Sequence, residues 1–493
     1  MRKLLVLLVM PLIGCTPEAD TPPSAAGVHP LPNYTDSKAD NYVSTNAREF
    51  ELTGEAHATL PVDFATRSAE EQQRLLDQAV QSRLSTVSSS LRTRVEEVVK
   101  AENGGKLDET ADFFTFFKRN AASAEEATVL PDTARARFTF RIELVGHPSL
   151  VGKLLAAPPA AEGEGEGEGE GEGEGEGEAP PEPSRGEFDL EVKSWSDSAA
   201  ETVRVTVQAT PSADAFPRYD LLFADGVYDI GIHFGGDYNA ERYDIETAKW
   251  TVETLLEGGW TNSSVTRFED LQIDSPPFVK TMTVDGRPVE VRVFVYHADM
   301  VPVEEEAKIR ETLELTLATR DVFLYSGHAG PGSGFVMDYS PRLEVAPREF
   351  PDLPLAEKYQ IYVFDGCQTY RTYVDDLLKN QRKTFDNLNV VTTVNTTPFS
   401  VGYQLIHEFL YWLTITDDAG RHLPLSWTAI LQGLNTEEFK EVHYGVHGVD
   451  SLPQANPHGG LEALCRPCGD DADCGPGRSE EHTSELQSPL NIS

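Results

Sequence analysis

The sequence predicts an α/β protein, a mainly parallel sheet flanked by helices, preceded by a smaller α+β domain. Three observations lead there. From Tyr219 onward, short apolar runs alternate with amphipathic helical stretches, the pattern of parallel strands joined by helical crossovers. Between residues 49 and 218, runs that alternate apolar and polar side chains surround one long polar helical stretch. At 493 residues with 39% hydrophobic side chains, the chain is long enough for two or more domains with cores of their own.

In the first domain, Phe50 to Leu60 reads as a strand, Ala69 to Val99 as a long helix and Arg137 to Val145 as a second alternating strand. Residues 162–178 then alternate Glu and Gly, which makes a self-repelling, flexible spacer rather than an acidic binding surface. Alternation resumes in Phe188 to Val192 and Val203 to Val207, so the spacer reads as an insertion in a surface loop of one domain, residues 49–218.

The second domain, residues 219–450, opens with a strand from Val227 to Phe234. A helix follows from about Asp244 to Leu256, where Ile245, Ala248, Val252 and Leu255 share a face and Gly258-Gly259 ends it. In the next strand, Val289 to Tyr296, Val289, Val291, Val293 and Val295 point one way. The helix from about Val303 puts Ile309, Leu313 and Leu317 on one stripe. Strands Val322 to Ser326, Tyr359 to Phe364 and Leu388 to Val394 follow, with a helical stretch near Tyr373 to Leu378 and another after Ser400, whose hydroxyl is a candidate cap. In sheets of this kind, sites lie beyond the carboxyl ends of the strands.

Two of those strand ends carry reactive side chains: Val322-Phe-Leu-Tyr-Ser-Gly-His328-Ala-Gly330 and Ile361-Tyr-Val-Phe-Asp-Gly-Cys367-Gln-Thr369. On parallel strands with a right-handed crossover, His328 and Cys367 emerge at one sheet edge. An imidazole beside a thiol draws off its proton, and the thiolate attacks a carbonyl carbon. Taken singly, Cys367 reads as a buried thiol in a strand-end core and His328 as a loop histidine satisfied by backbone. Their joint placement is what favours a dyad.

These two stretches resemble the peptidase clan of caspases, legumains and gingipains, whose signature is an apolar strand ending in His-Gly and a following one ending in Ala-Cys. The resemblance covers roughly Tyr219 to Trp412. It implies a caspase-like cysteine peptidase acting on protein or peptide substrates without a cofactor, with His328 as general base and acid and Cys367 as nucleophile. It also implies an oxyanion hole formed by the amides of Ala329 and Cys367. The chain departs from the signature twice. Ala329 stands where the clan has glycine, a strained place for alanine if φ is positive there, and Gly366 stands where the clan has alanine. A non-catalytic relative, binding through the same scaffold or serving as an envelope lipoprotein, is the alternative. Asp299 and Asp365 are candidates for selecting a basic substrate side chain, with turn formation and backbone orientation as their structural roles otherwise. Gly330 to Gly334 reads as a flexible loop that lines or covers the cleft. His407, beside Phe409 and Trp412 in an apolar helix, reads as a core histidine, and with His443 and His447 it gives no reason to assign a metal.

A net charge of −40 leaves no Lys/Arg cluster of the sort that phosphate backbones need, which excludes nucleic acid as the expected partner. Met1-Arg2-Lys3, the apolar run Leu4 to Ile13 and Gly14 make the parts of an export signal too short to span a bilayer. Leu12-Ile13-Gly14-Cys15 resembles the lipobox of bacterial lipoproteins. That implies a signal peptide of residues 1–14, lipid on Cys15 as the membrane anchor, and a place in the cell envelope on the outer-membrane or periplasmic side. Residues 15–48, rich in Pro, Thr, Ser and Asp, read as a flexible tether. Residues 451–477 hold Cys465, Cys468 and Cys474, the start of a cysteine-rich segment with too few cysteines to close two bridges. Residues 478–493 resemble a translated sequencing-library adapter and are set aside. Of five cysteines, Cys367 then remains as the nucleophile.

Overall fold

Alternation in the sequence becomes alternation in burial. The computed structural model describes residues 40–107, 111–131, 134–156, 183–194, 199–339, 341–435, 442–450 and 457–458; Cys15, the Glu-Gly run, Cys465, Cys468, Cys474 and residues 478–493 lie outside the described residues. In the first domain, β1 (Arg48–Thr59), β2 (Thr115–Val129), β3 (Arg135–Gly146), β4 (Arg185–Val192) and β5 (Glu201–Ala209) form one antiparallel sheet in the order β2-β3-β1-β5-β4. Every second residue of β3 from Ala136 to Leu144 is buried. Across that face α1 (Ala69–Glu102) lays Leu84, Val87, Leu91, Val95 and Val98, spaced by three or four residues. The Ser68 hydroxyl accepts from the Glu71 amide and caps its start. A short helix, α2 (Leu150–Leu155), adds Leu150, Val151 and Leu154 to the same core.

The sequence reading passes over β2. Its Ala121-Ala-Ser-Ala-Glu-Glu126 centre has no β-branched or aromatic side chain, and its pairing with β3 shifts register after Phe117 and again after Glu125.

The second domain runs α3 (Tyr219–Leu222), β6 (Val227–Phe234), α4 (Tyr243–Glu257), β7 (Phe278–Val284), β8 (Arg287–Tyr296), α5 (Ala307–Thr319), β9 (Val322–Ser326), β10 (Phe335–Tyr339), β11 (Arg342–Val345), β12 (Gln360–Asp365), α6 (Val374–Leu377), β13 (Leu388–Thr393), α7 (Phe399–Thr414), α8 (Trp427–Leu434) and β14 (Tyr444–His447). Seven strands form a mixed sheet in the order β14-β13-β12-β9-β6-β8-β7. The five from β13 to β8 are parallel, and β14 and β7 pair antiparallel at its two edges. Every residue of β9 and β12 is buried, as parallel strands covered on both faces require.

Three additions separate this sheet from the sequence reading. β7 and β8 form a hairpin whose two turn residues, Asp285 and Gly286, take φ of 50° and 70°. That Asp-Gly signal stood in the sequence. The hairpin β10-β11 interrupts the crossover from β9 to β12, and β14 is four residues long, too short for periodicity to show. α7 begins after Pro398, so Ser400 sits in its first turn and is not the cap. His407 is not a core residue either: its side chain is about a third exposed, 3.9 Å from Glu408.

The tether ends earlier than its composition implies. Tyr42, Val43 and Ala47 are buried, and Val43 pairs with Val446 through backbone hydrogen bonds of 2.9 and 2.8 Å, covering the outer edge of β14. Tyr42 then joins Phe114, Phe116, Val145, Tyr370 and Val394 in a small core between the domains. Among the described residues, no helix is long and apolar enough to cross a membrane.

Candidate active site

Strand register decides which reactive side chains meet. β9 and β12 are neighbours, paired in parallel with Ser326 opposite Asp365. His328 and Cys367 each lie two residues beyond that pair, at the carboxyl ends of strands about 4.8 Å apart. The chain beyond the two strands is interlocked. A Cβ on Gly330 would stand 2.4 Å from the Cys367 carbonyl oxygen and 3.4 Å from the Cys367 Cβ. With φ at +132° as well, position 330 accepts only glycine.

Cys367 is 6% exposed, and its Sγ lies 4.0 Å from the carbonyl oxygen of Thr397, in the segment between β13 and α7. The next residue, Gln368, takes left-handed φ and ψ of 52° and 41°, which costs a non-glycine residue roughly 1–2 kcal/mol. A 2.9 Å bond from its amide to the Asn395 carbonyl holds the turn. Strain of this kind clusters at functional sites. The Gly366 carbonyl accepts from the hydroxyls of Thr393 and Thr397. On the histidine side, Ala329 is not among the residues with positive φ, so the strain expected of alanine there does not arise. Its amide donates no hydrogen bond among the described residues.

Three aromatic and acidic neighbours define the imidazole. The Nε2 atom of His328 lies 3.6 Å from the Oδ1 of Asp237, an approach longer than a hydrogen bond that tightens when the ring is charged. Tyr238 stacks on the ring at 4.8 Å and 16°, and Tyr339 meets it edge-on at 5.5 Å. Burial pushes the imidazole's pKa below its ordinary value, and the Asp237 carboxylate partly restores it. Asp237 is itself held by the Asn239 amide at 3.0 Å and the Tyr243 amide at 3.3 Å.

The loop after the histidine is pinned. The Gly330 amide donates to the Tyr373 hydroxyl, and that hydroxyl donates to the Ser333 carbonyl, both at 2.8 Å. Tyr373 is fully buried and stacks on Phe335 at 5.0 Å. A flexible lid is therefore replaced by a fixed wall, because one phenol bridges both ends of the glycine loop.

The two acidic candidates part company. Asp299 follows β8, which β6 and β9 separate from β12, and the guanidinium of Arg242 binds both its oxygens at 2.9 and 3.0 Å. Strand order does not bring it beside Cys367, and the guanidinium that holds it is shared with Asp244. Asp365 lies in the strand that leads to Cys367 but is 2% exposed, accepting from Ser326 Oγ at 2.6 Å and Tyr444 OH at 3.4 Å. Burial raises its pKa to about 6, against the pull of those two hydroxyls. Gly402 of α7 roofs this pair, since a Cβ there would fall 2.8 Å from Ser326 Oγ and 3.4 Å from Asp365 Oδ2.

Sequence reasoning missed Asp237 and Tyr373. Gly235-Gly236-Asp237 follows an apolar strand as the reactive stretches do, so its signal was present; Tyr373 carried none. Comparison of the chain with protein-family models, with curated proteins and with solved structures returns no match.

Proposed function

We propose that the chain is an exported, lipid-anchored, caspase-like cysteine peptidase that hydrolyses peptide bonds with His328 and Cys367. One observation carries the reading: adjacent parallel strands in matched register put His328 and Cys367 two residues beyond the same pair, with the Asp237 carboxylate behind the imidazole. With Asp237 facing Nε2, Nδ1 is the nitrogen that takes the thiol proton. The thiolate attacks the scissile carbonyl carbon, and the oxyanion gathers the amides of Ala329 and Cys367. The imidazolium then gives its proton to the leaving amine as the C–N bond breaks. Water, deprotonated by the same imidazole, releases the acyl group from sulfur. The strand order around the dyad and the export signature at Cys15 support the same reading.

The two departures from the clan's signature are one event. A Cβ on Gly366 would fall 2.5 Å from the Cβ of Ala329 and 2.9 Å from the Gly327 carbonyl oxygen, so the space between these backbones does not hold both methyl groups. The clan carries that methyl on the cysteine strand, and this chain carries it on the histidine strand. The exchange keeps one methyl between the strands, with the Gly327 carbonyl oxygen closer to it on the cysteine side.

A non-catalytic binding lipoprotein is the second reading, and the burial of Cys367 favours it. A thiol-directed peptidase probe separates the two. Labelling of the wild type that is lost in Cys367→Ala and in His328→Ala, with circular dichroism unchanged, is the expected result. Labelling that persists in His328→Ala at the wild-type rate refutes the dyad.

A further inference from the structure

Away from the dyad, three donors of different chemistry meet where the two domains join. Asp40 precedes β1, Glu49 is its second residue and His447 ends β14, and one donor atom of each lies within 4.8 Å of the other two. The imidazole is fully buried between the rings of Tyr42, at 4.8 Å, and Tyr370, at 5.2 Å. Its Nδ1 lies 2.7 Å from Asp40 Oδ2, while Asp40 Oδ1 accepts from the Gly448 amide at 2.9 Å. Glu49 Oε1 accepts from the Tyr370 hydroxyl at 2.7 Å.

Two observations show that protein groups alone leave this cluster incomplete. His447 Nε2 is buried with no hydrogen-bond partner among the described residues, and so is the Tyr42 hydroxyl beside it. The nearby cation, Lys118, is engaged by Glu143 and Asp375 at 3.3 Å each and forms no ion pair with Asp40 or Glu49 among the described residues.

We infer that Asp40, Glu49 and His447 bind one divalent transition-metal cation, Zn2+ in preference to Ca2+, that ties the N-terminal segment and β1 to β14. Two carboxylates and one imidazole, with a place for water, suit Zn2+, whereas Ca2+ gathers six to eight oxygens. The ring then ligates through Nδ1, the nitrogen that faces Asp40, and the cation replaces the proton the two share.

The test uses the full chain, stripped with EDTA, in a Cys465→Ser/Cys468→Ser/Cys474→Ser background that removes competing thiolates. Calorimetric titration with Zn2+, and separately with Ca2+, is paired with thermal unfolding. One equivalent of Zn2+ with a raised Tm is expected, weakened at least about tenfold in Glu49→Gln and in Asp40→Asn, two near-isosteric changes whose metal-free Tm reports on folding. Absence of Zn2+ uptake, equal uptake by both variants, or stabilisation by Ca2+ alone overturns the assignment.

Discussion

A single methyl group decides whether residues 329 and 366 fit together. Gly366→Ala puts two Cβ atoms 2.5 Å apart between strands that cannot separate, whereas Ala329→Gly combined with Gly366→Ala restores the one-methyl arrangement with the strands exchanged. The single variant is expected to lose about 1–3 kcal/mol of stability and the double variant to regain part of it, the Gly327 carbonyl oxygen still lying 2.9 Å from the new Cβ, read by urea unfolding. Equal losses in both would show that the residues do not share the space. His328 supplies a second residue-scale expectation. Burial lowers its pKa, so the imidazole is a neutral base at pH 7, and the acid limb of kcat/KM lies below the ordinary histidine value of about 6.5. Asp237→Asn removes a charge that raises that pKa, and the limb moves further down while kcat falls. A limb that moves up would refute the role given to Asp237. Both reactive side chains were legible because each ends an apolar run. Asp237 follows an apolar run in the same way, but its approach to His328 depends on β6 lying beside β9, which spacing along the chain does not give.

At the scale of elements, Tyr373 converts the Gly330–Gly334 loop from a spacer into a wall. Tyr373→Phe deletes the hydroxyl bonded at both ends while keeping the stack on Phe335, and is expected to cost about 1–3 kcal/mol and to speed hydrogen exchange at the Gly330 amide. Unchanged exchange would mean that the loop is held by other contacts. Long elements were read well: the extent of α1, the stripe of α5 and the valines of β8 run over enough residues for pattern to exceed noise. β10, β11 and β14 have five residues or fewer, and β2 carries two register shifts. Pairing partners, not local pattern, make those segments strands.

Across the whole molecule, the domains are joined by buried charge as well as by apolar contact. Lys118 of β2 reaches Glu143 in its own domain and Asp375 in the other, and its side chain is 11% exposed. Burial by itself would lower the ammonium pKa, but Asp375 and Glu143 hold it well above the ordinary value. Lys118→Met leaves Asp375 without this partner and Glu143 with Arg141 alone, and is expected to cost about 3–5 kcal/mol, measured by denaturant unfolding of the full chain. A loss below about 1 kcal/mol would place the pair among weak surface contacts.

Local pattern was sufficient for the class of fold, for most strands and helices of the second domain and for the two residues proposed as the dyad. Each of those depends on spacing along the chain: an apolar run of set length, a stripe of set period, a reactive side chain just past a strand. The tertiary structure alone decided the rest. Strand order put Asp237 behind His328 and kept Asp299 away, backbone contact made Ala329 and Gly366 share one methyl, and the edge of β14 gave Tyr42 and Val43 a partner that a tether composition conceals. Spacing is a property of neighbours in sequence, but burial, charge pairing and close packing are properties of neighbours in space, and these last were joined by segments tens to hundreds of residues apart.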